Sequence, residues 1–181
     1  NDASFTWSIW VKTKNEQTNK YIISNYGGIP NRPSYAMGTS DRGVSGGDSA
    51  YGFVSNDSYG IEVIGQTNLN DNQWHNITVT FDRDDIASIY IDGSLDGSNQ
   101  ISSHPGSLNN NETLKVGGQS EKFLNGFINN ISIWNISLTE EEINSYAYMN
   151  PNSYEDGLLG YWSFNKGEGN ILHDLSGNEN H

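Results

Sequence analysis

The chain of 181 residues contains no cysteine, and this absence removes several chemistries at once. Disulfide bridges, thiolate nucleophiles and cysteine-ligated zinc all need the missing side chain. Basic residues are also scarce, because nine Lys and Arg stand against 22 Asp and Glu and leave a formal net charge of −13. Contacts with nucleic-acid phosphates or with an anionic membrane surface require clustered cations, so we expect neither partner.

Long apolar runs are absent as well. No stretch approaches the roughly 18 apolar residues of a membrane-spanning helix, so we expect no membrane insertion. The first residues, NDASFTW, lack the basic-then-apolar pattern of a signal peptide, and we expect that any export signal has been removed. The length and the lack of an internal repeat favour a single domain over residues 1–181.

Aromatic and turn-forming residues, in contrast, are abundant. Five Trp, ten Tyr and six Phe supply a core, and 20 Gly accompany many Asn, Ser and Asp. Between the turns, apolar and polar residues alternate with the period of two that is typical of β-strands. The pattern predicts strands over residues 5–12, 21–24, 74–82, 87–93, 126–134 and 157–164, shorter strands near 35–39, 50–55, 61–64 and 113–116, and a loop with at most one short strand over 93–112.

One segment has a helical signal instead. Thr139 followed three residues later by Glu142 is the pattern of a capping box, and apolar residues with helical spacing follow until Asn150-Pro151. We therefore predict an all-β fold, an antiparallel β-sandwich of the jelly-roll type, with one short helix near 139–149. The five tryptophans lie in predicted strands, so we expect them in the core.

Six segments follow one another over nearly the whole chain: FTWSIWVK, NQWHNITVTFD, SIYIDG, LKVGG, FLNGFINNISIWNISLTEEEI and GLLGYWSFNKGEGNILHDLSGNENH. Their order and spacing resemble those of bacterial laminin-G-like (LamG/pentraxin-type) domains of the concanavalin A-like lectin/glucanase superfamily. The resemblance implies a concanavalin A-like jelly roll within a larger exported protein. The opening strand of such domains is missing, so we expect either a piece excised from a multidomain protein or a strand at 157–164 in its place.

The catalytic carboxylates of related hydrolases are missing too. Laminarinase-type relatives carry Glu-x-Asp-x-x-Glu on one strand, which sets two carboxylates about 5–5.5 Å apart, and no such triplet occurs here. Glu62 is the only carboxylate well inside a predicted strand, and it has no acidic residue two or four positions away. We therefore expect no enzymatic activity, and a glycoside hydrolase is the least favoured interpretation.

Ligand-binding residues are expected between residues 27 and 65, where the resemblance is weakest. Tyrosine offers a ring face and a hydroxyl, and Asp and Arg form hydrogen bonds with sugar hydroxyls. The candidate ligand-binding residues are Arg32, Tyr35, Asp41, Arg42, Asp48, Tyr51 and Tyr59. The alternative is an ordered surface loop that binds no ligand.

These features predict a non-catalytic, lectin-like carbohydrate-binding module at an extracellular or cell-surface location. Its expected partners are a polysaccharide or other glycan and the neighbouring domains of the same polypeptide. The alternative is an adhesive or protein-binding module without glycan specificity, because laminin-G-like domains also bind proteins.

Calcium is the expected cofactor. In the C-terminal segment, side-chain oxygens alternate around Gly177, an arrangement that suits a hard cation with six to eight oxygen ligands. Asp174, Ser176 and Asn178 are the candidate metal ligands, and resemblance to calcium-binding relatives favours them. The alternative is that Asp174 and Asn178 only form Asx-turns.

Calcium binding predicts a melting temperature that rises by several degrees in millimolar calcium and falls with a chelator. A ligand that binds only the native state stabilises it, by about 2.7 kcal/mol at a hundredfold excess over Kd. Magnesium is expected to substitute poorly, and Asp174→Ala is expected to remove most of the response. A melting curve of ion-free protein that ignores both calcium and chelator would contradict the prediction.

Overall fold

The computed structural model describes residues 3–14, 19–25, 33–44, 47–56, 60–102, 107–108, 111–165 and 168–181. The strands of this described part are β1 (Phe5–Thr13), β2 (Tyr21–Ser24), β3 (Ser34–Ser40), β4 (Ser49–Ser55), β5 (Gly60–Ile64), β6 (Trp74–Phe81), β7 (Ile86–Ile91), β8 (Ser94–Gln100), β9 (Lys115–Val116), β10 (Gly118–Gln119), β11 (Lys122–Phe123), β12 (Gly126–Trp134) and β13 (Leu158–Trp162). A helix, α1 (Glu140–Tyr146), precedes β13. No helix among the described residues has the length and apolarity that a membrane crossing requires.

The strands form two sheets. The six-stranded sheet has the order β13-β12-β1-β6-β7-β8, and the seven-stranded sheet has the order β10-β11-β2-β3-β4-β5 with β9 also paired to β2. Neighbouring strands run antiparallel, apart from one parallel contact between β11 and β2. Strands that are distant in sequence, such as β12, β1 and β6, become neighbours, as in a jelly roll.

The two sheets pack face to face because their strands are apolar on one side. On the central strand β1, Trp7, Ile9 and Val11 are buried between the sheets, and the residues between them face away. Ile9 pairs with Ile77 of β6 and with Ile131 of β12. The seven-stranded sheet contributes Ile22, Ile23, Met37, Val54 and Val63 to the same core.

A second, smaller core lies beneath α1. The helix begins with the predicted capping box, in which Thr139 Oγ1 accepts a hydrogen bond from the Glu142 backbone N–H at 3.3 Å. The Glu142 carboxylate in turn accepts one from the Thr139 backbone N–H at 2.8 Å. The apolar side of α1 packs on the surface of the six-stranded sheet that faces away from the main core, and this cluster contains Trp134, Leu138, Ile143, Leu158 and Tyr161.

The predicted antiparallel sandwich and its helix are confirmed, with differences at the sheet edges. β8 is a full strand inside the predicted loop 93–112, because an edge strand can be polar when its backbone pairs with β7. The strands β10 and β11 are too short to show a periodicity, and α1 ends at Tyr146, before the predicted end. Trp74 is 41% exposed rather than buried, because it begins β6 at the end of the sheet.

Ile77→Ala tests the main core. Ile77 is fully buried, so the truncation should lower the free energy of unfolding by about 2–5 kcal/mol through lost burial and an unfilled cavity. Leu95→Ala is the matched control, because Leu95 is mostly exposed and its loss should cost no more than about 0.5 kcal/mol. Urea unfolding measures both, and equal effects would contradict this description of the core.

Candidate functional site

The seven-stranded sheet turns one face towards the core and the other, called the outer face below, away from it. On β4, Ala50 and Val54 belong to the core, so strand alternation places Tyr51 on the outer face. The register pairs Tyr51 with Gly38 of β3, and Gly38 with Tyr21 of β2. Cross-strand partners project from the same face, so the two tyrosines flank the glycine, and these three residues are called the tyrosine row.

Gly38 is required at the centre of the tyrosine row. A Cβ atom there would lie 2.6 Å from Tyr51 Cε1 and 2.1 Å from the carbonyl oxygen of Lys20. The Tyr51 ring therefore lies against the backbone of β3, and the residue is only 7% exposed. The Tyr51 hydroxyl is a hydrogen-bond donor at neutral pH, and burial raises its pKa further above the usual value.

A charged pair lies beside Tyr51. Arg42, in the turn after β3, forms an ion pair with Glu62 of β5, and Arg42 Nε donates a hydrogen bond to Ser40 Oγ at 3.0 Å. The hydrogen bond to Glu62 is the main cause of the raised pKa of Arg42. Both side chains are partly exposed, so donors and acceptors are accessible next to an aromatic ring.

The adjacent cross-strand row completes the outer face. It joins Glu62 of β5, Phe53 of β4, Ala36 of β3 and Ser24 of β2. The side chains next to Phe53 in this row, Ala36 and Ser24, are small, and the row ends at Lys115 of β9. Rings, a cation and an anion on one rigid face can hold a polar ligand that also has apolar surfaces.

The structure brings only part of the expected ligand-binding set together. Arg42 and Tyr51 meet at the tyrosine row, and Asp41 is exposed in the same turn as Arg42. Arg32 and Tyr59 lie outside the described residues.

Tyr35 and Asp48, in contrast, do not reach the outer face. The alternation of β3 turns Tyr35 towards the space between the sheets, where its ring centroid lies 5.1 Å from that of Trp7. Burial raises the pKa of Tyr35 as well. Asp48 is fully buried and accepts a hydrogen bond from Asn70 Nδ2 at 2.9 Å. Both residues therefore support the fold here instead of lining the candidate site.

Three residues of the outer face, Tyr21, Phe53 and Glu62, were not among the expected ligand-binding residues. Tyr21 and Phe53 look like ordinary strand aromatics in the sequence. Glu62 does carry a signal, because it is the only charged residue within β2, β3, β4 and β5. A single charged residue in these strands indicates a position outside the core, but the sequence does not show that Arg42 is the ion-pair partner of Glu62.

An apolar cavity of about 420 Å³ opens between the sheets near Tyr35. Phe5, Trp7, Ile133 and Trp162 line much of it, so its walls continue the hydrophobic core. A polar ligand would find few hydrogen-bonding groups there. The outer face offers a charged pair and a tyrosine hydroxyl, and it is therefore the better candidate site.

The expected calcium ligands lie in the C-terminal segment beside β13. The Asp174 carboxylate accepts hydrogen bonds from the backbone N–H groups of Tyr161 (2.9 Å), Ser176 (2.9 Å) and Asn180 (3.0 Å), and from the Ser176 hydroxyl (2.8 Å). Burial acts to raise the pKa of Asp174, but these hydrogen bonds outweigh it and hold the pKa below its usual value.

Asn178 faces the same strand. Its Nδ2 donates to the carbonyl oxygens of Leu158 at 2.7 Å and Leu159 at 3.2 Å, which belong to the edge strand β13. The hydrogen bond from the Ser176 N–H to Asp174 is that of the Asx-turn alternative. A cation at Asp174 would have to displace some of its four donors, and the described residues include no group of three or more His, Asp or Glu suited to a metal. Calcium stays a prediction.

Comparison with models of known protein families shows the family of this chain. The family model Laminin_G_3, of the Concanavalin A-like lectin/glucanases superfamily, matches residues 1–144. The chain belongs to this family. The predicted resemblance to laminin-G-like domains is thereby confirmed. No curated protein matches the chain.

Solved structures share the fold at low sequence identity. A proposed carbohydrate-binding protein from Bacteroides ovatus has a TM-score of 0.71 and 17% identity, over 97% of this chain and 50% of that one. The SAP-like pentraxin from Limulus polyphemus has a TM-score of 0.64 and 16% identity, over 99% and 86%. Domain 4 of AbnA, an extracellular arabinanase from Geobacillus stearothermophilus in complex with arabinotriose, has a TM-score of 0.57 and 18% identity, over 80% and 66%. The chain thus spans half the length of the Bacteroides ovatus protein.

Asp174→Asn tests the hydrogen bonds of this segment. The pKa of Asp174 is lower in the folded protein than in the unfolded chain, where it is about 4. The carboxylate therefore stabilises the fold fully at pH values above about 4. This stabilisation is lost as the pH falls through the lower, folded-state pKa. Near neutral pH, we expect the substitution to lower the free energy of unfolding by about 2 kcal/mol or more, since buried donors lose their acceptor.

The measurement is urea unfolding of both proteins across acidic and neutral pH. The difference between them should shrink as pH falls below about 4. Asp156→Asn is the control, because Asp156 is exposed and its substitution should change stability little. A difference that is the same at every pH would contradict the role given to the Asp174 carboxylate.

Proposed function

We propose that this chain is a non-catalytic glycan-binding module and that the glycan lies along the tyrosine row on the outer face. The proposal depends on one observation: Tyr21 and Tyr51 flank Gly38, and the Arg42–Glu62 pair lies beside Tyr51. Sugar rings have apolar faces and hydroxyl-bearing edges, so they need aromatic and hydrogen-bonding groups at one place.

In this proposal, some side chains stack on the sugar rings and others form hydrogen bonds with the sugar. Tyr21 and Phe53 are half-buried, so part of each ring is exposed for contact with a sugar. Arg42 donates hydrogen bonds to sugar oxygens, and Glu62 accepts them from sugar hydroxyls. Because the ion pair already orients both charged side chains, binding costs less conformational entropy.

The similar structures support glycans as the ligand class. The Bacteroides ovatus protein has a proposed carbohydrate-binding role, and domain 4 of AbnA is in complex with arabinotriose. These ligands belong to those proteins, and neither names the sugar for this chain. Its membership in a lectin/glucanase superfamily points in the same direction.

The setting of Glu62 supports the proposal of a non-catalytic role. Retaining and inverting glycosidases need a pair of carboxylates on either side of the scissile bond. Glu62 is instead paired with Arg42, and it is the only acidic residue in the strands of the seven-stranded sheet. A binding role uses one carboxylate as an acceptor and requires no partner acid.

An extracellular location within a longer polypeptide is part of the same proposal. Polysaccharides of the kind that such modules bind lie outside cells. The chain spans half of the Bacteroides ovatus protein, and the AbnA domain belongs to an extracellular enzyme. Both facts are consistent with a binding module joined to other domains.

A protein-binding module is the second candidate, and one surface favours it. Trp74 and Phe127 are exposed on the side of the six-stranded sheet that faces away from the main core, with ring centroids 6.5 Å apart. Tyr148 and Met149 are exposed as well. Exposed aromatic side chains of this size are common at protein interfaces.

Glycan binding predicts that Tyr21→Ala and Phe53→Ala weaken binding by about tenfold or more, because each removes a partly exposed ring from the outer face. Affinity electrophoresis in gels that contain plant, algal or host polysaccharides identifies a ligand, and calorimetry then measures Kd. Tyr154→Ala is the matched control, because Tyr154 is 77% exposed and lies outside the strands of the sheet.

Two outcomes would contradict the proposal. Unchanged glycan affinity in both Tyr21→Ala and Phe53→Ala would place the binding site elsewhere on the molecule. A protein partner whose binding is lost in Trp74→Ala, combined with no glycan binding, would favour the second candidate.

A further inference from the structure

Two lysines lie on the outer face beside the tyrosine row. Lys122 Nζ lies 5.3 Å from the centroid of the Tyr21 ring, in a cation–π contact. Lys115 of β9 pairs in register with Ser24, which continues the row of Phe53. Both lysines are exposed, so their ammonium groups can reach a ligand bound at this face.

Within the part of the chain that is described, neither lysine forms an ion pair. Glu62, the only carboxylate in the strands of this sheet, is already paired with Arg42. Glu121 is the acidic neighbour, in the turn just before Lys122. The outer face therefore carries two exposed ammonium groups that have no ion-pair partner among the described residues, on a chain whose net charge is −13.

On the proposed function, we infer that the glycan bound at the tyrosine row is acidic and carries carboxylates or sulfate esters. Lys122 lies at the Tyr21 end of the row and Arg42 at the Tyr51 end. These ends are two strand spacings apart, about 10 Å. A saccharide that stacks along the row can thus bring an anionic group to each end, where a charge-assisted hydrogen bond forms.

The negative net charge of the chain means that binding of an acidic glycan depends on a local cationic site. A chain with net charge −13 repels polyanions over most of its surface, so binding of an acidic polymer requires a local cationic site. Double-stranded nucleic acid carries one charge per about 1.7 Å and would meet that repulsion along its length. Two unpaired lysines are too few to offset it. A saccharide with spaced charges meets less repulsion.

The experiment compares polysaccharides that differ only in charge. Polygalacturonate is paired with its methyl ester, and dextran sulfate with dextran, in affinity electrophoresis followed by calorimetry. We expect at least one acidic polymer to bind about tenfold more tightly than its neutral partner, and added salt to weaken that binding. Preference for polygalacturonate assigns carboxylates, and preference for dextran sulfate assigns sulfate esters.

Charge variants show whether the outer face is responsible. The double variant Lys115→Gln/Lys122→Gln should lose most of the preference for the acidic polymer. Glu121→Gln should strengthen acidic-polymer binding, because it removes the carboxylate next to Lys122. Lys14→Gln is the matched control, since Lys14 is also exposed but follows β1 of the other sheet, and it should change nothing.

Several results would overturn the inference. Equal binding of charged and neutral polymers, weakened by Tyr21→Ala, would refute it and leave glycan binding intact. An acidic preference that survives the double lysine variant would refute it as well, as would equally tight binding of a single-stranded oligonucleotide. No binding to any of the four polymers would refute acidic specificity, and the wider polysaccharide panel then decides glycan binding separately.

Discussion

The alternation of apolar and polar side chains along antiparallel strands is the constraint on which this molecule depends. Burial of one face of each sheet against the other stabilises the sandwich, by about 25 cal/mol for each Å² of apolar surface removed from water. Ala50 and Tyr51 are neighbours in the sequence, yet one lies in the core and the other on the outer face. The strands that hold the fold together therefore also position the candidate site on a rigid surface.

Most acidic residues lie outside the strands of the two sheets. Glu62 and Asp96 are the only acidic residues within the strands, so the net charge of −13 is carried mainly by turns, loops and the first turn of α1. Charges more than about 8 Å away are largely screened at physiological ionic strength. The field at the tyrosine row is consequently set by the charged groups around it rather than by the chain as a whole; these are Arg42, Asp41, Glu62, Lys115, Lys122 and Glu121.

The Asp, Ser and Asn residues of the C-terminal segment are compatible with two roles, calcium binding and hydrogen bonding to the backbone of β13. Asp, Ser and Asn supply the oxygens of a calcium loop, and the same side chains can satisfy the backbone of an edge strand. Here Asp174 accepts four hydrogen bonds, and Asn178 donates to the carbonyl oxygens of Leu158 and Leu159. The segment thus covers the open edge of β13 and limits pairing with another chain.

The sequence by itself determined most of the strand segments and the capping box at Thr139 and Glu142, because alternation and capping act between residues a few positions apart, and the order of these segments indicated the family. It did not indicate β8, a polar edge strand held by its pairing with β7, or the two-residue strands β10 and β11. The candidate site depends on contacts between distant segments. Tyr35 and Tyr51 are both strand aromatics, but the strand register turns the first to the core and the second to the outer face. Only the tertiary structure decided that Tyr21, Tyr51 and Glu62 share one face, because hydrogen bonds between strands far apart in sequence set which side chains become neighbours.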